Sequence, residues 1–248
     1  MTERGALDGF ASGYSAEFKF HDENLLMLSW YAERMIATLK AREVRKLVSL
    51  GIGHGVVPRM VIESLAGHLD SYTIVEGSPR SIESFRASLG PTANVTLASA
   101  MFEDFETRQA VDAIEMGFVL EHVDDPALIV NRFKRFLRPG GSLIVVVPNA
   151  LSLHRRLGQH SGLLPDPYVL SPQDQELGHQ RYFDRASLEA LVRDAGLQVV
   201  RTEGVFLKPL TTVQLRGLNL PPEVVRAFFS VGVDQPDLCN AIYVEATS

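Results

Sequence analysis

Apolar residues along this chain follow two alternating rhythms. Across residues 22–40, Leu25, Leu26, Leu28, Tyr31, Ala32, Met35 and Leu39 recur at helical spacing and predict a first helix. A continuous apolar run at about 44–50 predicts a buried strand. A second helical pattern follows at once, with Pro58 in its first turn, where a missing N–H does little harm. Strand-like runs then appear at 72–75, 94–97, 111–117 and 137–148, with helical patterns between most of them. Ser78 with Pro79 reads as an N-cap. Ile82, Phe85 and Leu89 mark the buried face that follows, and Gly90 is the expected stop. Asp125 and Pro126 repeat this cap before Leu128, Ile129, Phe133, Phe136 and Leu137, a stripe broken only by Arg132. Asp184 caps a later helix through Leu188, Leu191, Val192 and Ala195, ended by Gly196, and strands at 198–207 and 238–245 close the chain. Strand–helix alternation of this kind implies an α/β fold, with a mostly parallel sheet and helices on both faces.

Two stretches interrupt the alternation. Residues 149–183 carry Gly158, Gly162, Pro165, Pro167, Pro172 and Gly178. Residues 208–237 carry Pro209, Pro221, Pro222 and Pro236 around a short helical pattern at 223–229. Long connections within a compact domain are usually functional or disordered. They are expected to gather with the N-terminal helix over the carboxyl ends of the strands, where open α/β sheets bind ligands. The expected organisation is one domain, 1–248: an N-terminal cap at 1–42, a core at 43–150, and partly helical lid insertions at 149–183 and 208–237. The net charge of −6 and the lack of any long basic run argue against a nucleic-acid partner. Cys239 is the only cysteine, so no intrachain disulfide can form. No apolar run is long enough to span a bilayer, and the first residues open no secretory signal pattern, so the expected location is the cytoplasm. Nothing in the sequence sets an oligomeric state.

The most specific chemistry lies in Leu47-Val48-Ser49-Leu50-Gly51-Ile52-Gly53-His54-Gly55, an apolar strand that runs into three alternate glycines and then a helix. Bare backbone lets a ligand lie close, and the helix start offers unpaired N–H groups. The next apolar run, Tyr72-Thr73-Ile74-Val75, ends in Glu76, an acid placed to reach ribose hydroxyls. A nucleoside-containing cofactor is therefore expected. A dinucleotide site wants a third glycine where this chain has Val56. The G-x-G-x-G spacing instead resembles the first motif of class I S-adenosylmethionine (SAM) methyltransferases, and Glu76-Gly77-Ser78-Pro79 resembles their second. Ser99-Ala100-Met101-Phe102-Glu103 looks like their adenine-holding loop. Val111 through Val123, ending in Leu120-Glu121-His122-Val123, looks like their fourth-strand motif, with a Leu-Glu-His-Val run typical of quinone-type and small-molecule branches. Leu137-Arg138-Pro139-Gly140-Gly141 resembles their turn into the fifth strand.

The resemblance implies an open, mostly parallel seven-stranded Rossmann-like sheet whose last strand is antiparallel and inserted between the fifth and sixth. It implies SAM as cofactor, S-adenosyl-L-homocysteine as product, and Ser49, Gly51, Ile52, Gly53, Gly55, Glu76, Gly77, Ser78, Met101, Phe102, Gly117 and Phe118 as the cofactor site. In one respect the chain departs from that family: the acid usually found two residues before the first glycine is Ser49.

Methyl transfer from a sulfonium is an in-line displacement, so the protein must align the acceptor, exclude water and, for a hydroxyl acceptor, take a proton. His122 borders the expected methyl position and either accepts that proton or packs on the cofactor. Glu121 reads as structural. His179 and Tyr182, in a Gly178-His179-Gln180-Arg181-Tyr182-Phe183 segment like one at the family's acceptor mouth, either act on the acceptor or anchor the lid with Arg181. Arg155 and Arg156, in an expected lid helix at 151–157, either bind an acidic substrate or form a solvated face. Tyr14, Phe18, Phe20 and His21 either fold over the cofactor or anchor the first helix. His154 and His160 have no partners at metal-ligand spacing, and no metal site is expected. The reading is a SAM-dependent methyltransferase acting on oxygen or nitrogen of a small molecule. An NAD(P)-dependent oxidoreductase and a catalytically silent SAM-binding module are the alternatives.

Overall fold

The computed structural model describes residues 20–90 and 92–248. Helix α1 (His21–Ala41) opens the described chain. There follow β1 (Lys46–Leu50), α2 (Val56–Ser64), β2 (Ser71–Glu76), α3 (Pro79–Ser88), β3 (Val95–Ser99), β4 (Val111–Gly117), α4 (Pro126–Lys134) and β5 (Leu137–Pro148). The second half holds α5 (Leu153–His160), α6 (Pro172–Glu176), α7 (Arg185–Asp194), β6 (Gln198–Val205), α8 (Thr212–Gly217), α9 (Pro222–Gly232) and β7 (Ala241–Thr247). The seven strands form one sheet in the order β3-β2-β1-β4-β5-β7-β6. β1 to β5 are parallel, and β7 runs antiparallel between β5 and β6. The expected fold class and the inserted last strand are both observed.

The period-2 alternation of the strands sends their apolar side chains to two cores. Val48, Leu50, Ile114, Met116, Leu143, Val145 and Val147 pack beneath α4 and α7. Leu47, Ala113, Ile144 and Val146 point to the other face, against Met27, Tyr31, Met35 and Leu39 of α1 and Val61 and Phe85 of α2 and α3. Fully burying one such aliphatic side chain contributes about 1.5–3 kcal/mol. The second face also carries polar groups: Ser49 and Glu115 are register partners on β1 and β4, both nearly inaccessible to solvent.

Helix starts follow their caps. The Ser78 and Asp184 side chains accept from the backbone N–H three residues on, and Asp125 does the same for Leu128. Three local expectations need correction. The buried stripe of α1 is Met27, Tyr31, Met35 and Leu39, while Leu26 is 51 % exposed, because the helix is rotated to put Tyr31 over the sheet. Leu89, already in extended backbone, ends α3 one residue before Gly90. The lid helix begins at Leu153, after Asn149 has spent its side chain on Leu151 N and on the carbonyls of Pro236 and Cys239. Helices α6 and α8, both closed by capping boxes, gave no clear signal in the apolar pattern.

Several contacts hold α1 to the second half of the chain, among them Arg34 with Glu203 and the following two seams. Lys208 Nζ donates to Glu23 Oε1 at 2.5 Å, and the Trp30 ring lies 5.3 Å from that of Phe229 on α9, with the Arg226 guanidinium 5.6 Å from the Trp30 ring centre.

Candidate active site

A cavity of about 890 Å³ opens over the carboxyl ends of β1, β2 and β4. Phe20, Met27 and Tyr31 of the N-terminal region, His154 and Arg155 of α5, the α6 region, and Lys208 to Val213 close over it. The interrupted stretches therefore do gather where the sequence placed them. Tyr14 and Phe18 lie outside the described residues; Phe20 lines the cavity.

Gly51, Gly53 and Gly55 of the turn after β1 all have positive φ, the conformation that glycine adopts with least strain, and Gly51 and Gly53 line the cavity floor. A Cβ on Gly53 would meet no protein atom within 4 Å, so the space beside it belongs to the cavity. Glu76 at the end of β2 joins the two neighbouring loops: Oε2 accepts from Ile52 N at 3.0 Å and Oε1 from Ser78 N at 2.7 Å. Gly77, Ser78, Met101, Phe102, Gly117 and Phe118 line the same cavity, and Phe118 itself sits at φ 56. A side chain held in that region is strained, a feature that often marks functional sites.

Two of the expected cofactor residues are not in the wall. Gly55 is the left-handed N-cap of α2, and a Cβ there would come within 3.2 Å of Phe85, so its role is packing. Ser49 lies under the floor, where its Oγ accepts from Tyr72 Oη at 3.1 Å. Glu115, which the sequence reading passed over, does line the cavity. Its Oε1 accepts from Tyr31 Oη at 3.0 Å and Gly117 N at 2.6 Å. Burial raises its pKa, while bonds from Ser49, Tyr31 and Gly117 oppose the rise. An acid inside the apolar run of β4 was the available signal.

The same cavity is lined by a cluster of titratable groups. His122 and His179 meet edge to face at 4.7 Å between ring centres. His179 Nδ1 lies 3.4 Å from Asp174 Oδ1, and its main-chain N–H donates to Asp174 O at 2.8 Å. Tyr182 donates to Asp174 Oδ1 and accepts from Arg155, both at 3.0 Å. Burial alone would raise Asp174, but donors from His179 and Ser171 outweigh it and hold the carboxyl down at about 2. Burial, with Asp174 nearby, pushes the Tyr182 phenol well above its ordinary value, so this residue stays protonated and positions Asp174. Burial first and His179 second bring His122 down to about 3, which leaves it a neutral, weakly basic imidazole. Glu121 is wholly buried, and no other described residue offers its carboxylate a hydrogen bond; burial lifts it to about 7. One donor atom each from Glu121, His122 and His179 lie within 4.8 Å of one another. That is a set of three donors suited to a cation. Spacing in the sequence gave no sign of it, because the third member comes from a distant loop.

Arginines anchor this wall. Arg155, buried, donates to the carbonyls of Pro167 at 2.8 Å and Val169 at 2.5 Å, so it ties α5 to the loop that follows and is not part of a solvated face. Arg181 reaches the carbonyls of Leu120, Val123 and Asp124 and fastens its segment to the loop after β4.

A family model described as a methyltransferase domain matches residues 24–202. The chain belongs to that family. Among its relatives, a ubiquinone biosynthesis O-methyltransferase of Thiobacillus denitrificans is 27 % identical over 207 residues, covering 80 % of this chain and 82 % of the relative. One from Pseudomonas syringae pv. tomato is 27 % identical over 200 residues, covering 79 % and 81 %. The fold matches the solved complex between the Haloferax volcanii Trm112 methyltransferase activator and a putative methyltransferase (TM-score 0.63, 16 % identity, 97 % and 96 % covered). It also matches the N-methyltransferase NodS of Bradyrhizobium japonicum with S-adenosyl-L-homocysteine (TM-score 0.59, 13 % identity, 98 % and 97 % covered).

The methyltransferase takes its methyl group from SAM, and the floor residues fit that cofactor. Gly53 leaves open space against bare backbone, Glu76 brings to the cavity wall a carboxylate of the kind that accepts from a diol, and Met101 and Phe102 are apolar residues of the same wall. The oxidoreductase alternative is not favoured. Glu76→Ala should weaken SAM binding roughly tenfold to hundredfold, the loss of a charge-assisted hydrogen bond. Its bonds to Ile52 N and Ser78 N fall with it, so a loosened loop adds to the loss. Calorimetry on the folded variant measures this; unchanged affinity would remove Glu76 from the site.

Proposed function

We propose that the enzyme methylates a hydroxyl of a small, largely apolar acceptor such as a phenol, with His179 as the proton acceptor. The observation that carries this reading is the Asp174–His179 pair in the cavity wall. A carboxylate 3.4 Å from Nδ1 favours one orientation of the imidazole and leaves Nε2 for an acceptor hydroxyl. A hydroxyl needs its proton removed as it attacks; an amine already unprotonated does not.

Bound SAM supplies an electrophilic methyl group on a good leaving group. The protein supplies the rest: the glycine turn and Glu76 hold the nucleoside, Tyr182 and Ser171 hold Asp174, and Asp174 holds His179. Phe20, Met27, Leu28, Phe118 and Val213 make the acceptor side apolar and exclude water. His122 packs on His179 and borders the methyl position. In this proposal residues 1–248 act as one domain, with 149–183 and 208–237 as the acceptor lid. The names of the relatives and the Leu120-Glu121-His122-Val123 run support the small-molecule branch. The proposed setting is the cytoplasm, with an acceptor other than a nucleic acid, in keeping with the net charge of −6.

The test is transfer from SAM to a panel of phenols, carboxylic acids and amines, read by mass spectrometry as a gain of CH₂. Hydroxyl methylation that survives a chelator is the expected result. Products on amines alone would overturn the oxygen assignment. Activity lost with chelator and restored by a divalent cation would replace proton acceptance by cation activation at Glu121, His122 and His179. Binding without any transfer would favour a silent module.

A further inference from the structure

We propose that Glu115 is the anion that receives the α-ammonium of the donor's methionine arm. This inference rests on SAM being the cofactor and extends it to a residue of β4. Four observations carry it.

Glu115 is a carboxylate on the face of the sheet that packs under α1, among Tyr31, Ala113, Ile144 and Val146. An isolated charge in such surroundings is costly, and it is retained where a cation or strong donors meet it. No basic side chain among the described residues pairs with it; its partners are a phenol, a serine hydroxyl and one backbone N–H. Glu115 and its partners Tyr31 and Gly117 all line the cavity, which puts a ligand within reach of supplying the missing cation.

The surrounding residues make room for it and fix its direction. A Cβ on Gly117 would fall 2.2 Å from Tyr31 Oη and 2.4 Å from Glu115 Oε1, so this glycine is what allows the two groups to stand there. Behind it, Tyr72 donates to Ser49, and Ser49 is bonded to Glu115. The position on β1 that faces the same floor is thus an uncharged relay, and the charge stands on the strand beside it.

The order of chemistry along the sheet edge matches the order of groups along the donor. After β3 come apolar Met101 and Phe102, suited to a base. Glu76 follows at the end of β2, suited to a diol. The glycine turn follows β1, and Glu115 stands near the end of β4. A ligand laid across these loops with its ribose at Glu76 and its base beyond β3 carries its amino-acid arm toward β4. Of the cationic groups on that arm, the ammonium has N–H donors for a carboxylate and the sulfonium has none.

Calorimetry with S-adenosyl-L-homocysteine and with its deaminated analogue, which lacks only the α-ammonium, tests the assignment. On the unmodified protein the analogue should bind at least tenfold more weakly. Glu115→Gln should weaken S-adenosyl-L-homocysteine roughly tenfold to hundredfold and leave the analogue within about twofold, the signature of a lost charge-assisted contact. Adding Ser49→Asp to Glu115→Gln should recover much of the loss for S-adenosyl-L-homocysteine and none for the analogue. Equal binding of the two ligands by the unmodified protein overturns the proposal without any variant. So does an equal loss of both ligands in Glu115→Gln, which would make Glu115 a prop for Tyr31 and Gly117. If the unmodified protein bound neither ligand, the cofactor reading itself would fall and take the proposal with it.

Discussion

Gly53→Val is expected to lower SAM affinity by more than a hundredfold while the sheet remains folded. Two effects act together. The residue sits at φ 53, where a β-branched side chain is strained, a cost of about 1–2 kcal/mol to the turn. The valine side chain would also enter the space beside the turn, which no protein atom fills within 4 Å of its Cβ. That openness spares the fold and obstructs the ligand. Circular dichroism should keep its α/β signature and calorimetry with SAM should show no measurable heat of binding. Gly53→Asn separates the causes, since asparagine tolerates left-handed backbone yet still fills the space. Normal binding by both variants would reduce the turn to a connection and remove the central argument for the site.

His179→Ala is expected to cut turnover by roughly 10²- to 10⁴-fold, the usual contribution of a positioned base, and to leave SAM affinity nearly unchanged. The imidazole stands against Asp174 in the cavity wall, on a segment that contributes none of the glycine-turn or Glu76 contacts, so its loss is expected to affect the acceptor more than the nucleoside. His122→Ala should weaken both turnover and cofactor binding, since in the proposed arrangement its ring packs on His179 and borders the methyl position. If His179→Ala turned over at the native rate and only melted at a lower temperature, the segment would be a lid anchor. Its neighbour Arg181 already serves that purpose through the carbonyls of Leu120, Val123 and Asp124.

The parts of this fold that were legible in the sequence are those written in local chemistry. Ser78, Asp125 and Asp184 cap their helices as their side chains dictate, and the glycine turn and Glu76 stand where the spacing put them. What escaped was set by tertiary packing. Ser49 and Glu115 are neighbours only because β1 and β4 pair in one register, so reading along β1 alone found a missing acid and not its replacement. Arg155 reads as a surface cation until the loop carbonyls of Pro167 and Val169 fold around it. Asp174 lies in a short helix with no apolar periodicity, yet it orients His179 and is held by Tyr182. The residue-level roles at the acceptor wall thus come from contacts between segments far apart in the chain.

The seam between α1 and α9 gives this enzyme a built-in optical reporter. Trp30 is the only tryptophan in the chain, and it rests against Phe229 and beneath Arg226. The helix that carries it turns another face, through Met27 and Tyr31, toward the cavity. Its emission and its quenching by small solutes therefore sense how the N-terminal helix sits on the second lid segment, with no competing indole elsewhere. Stopped-flow fluorescence can follow that docking in real time without a label and without touching a residue of the wall.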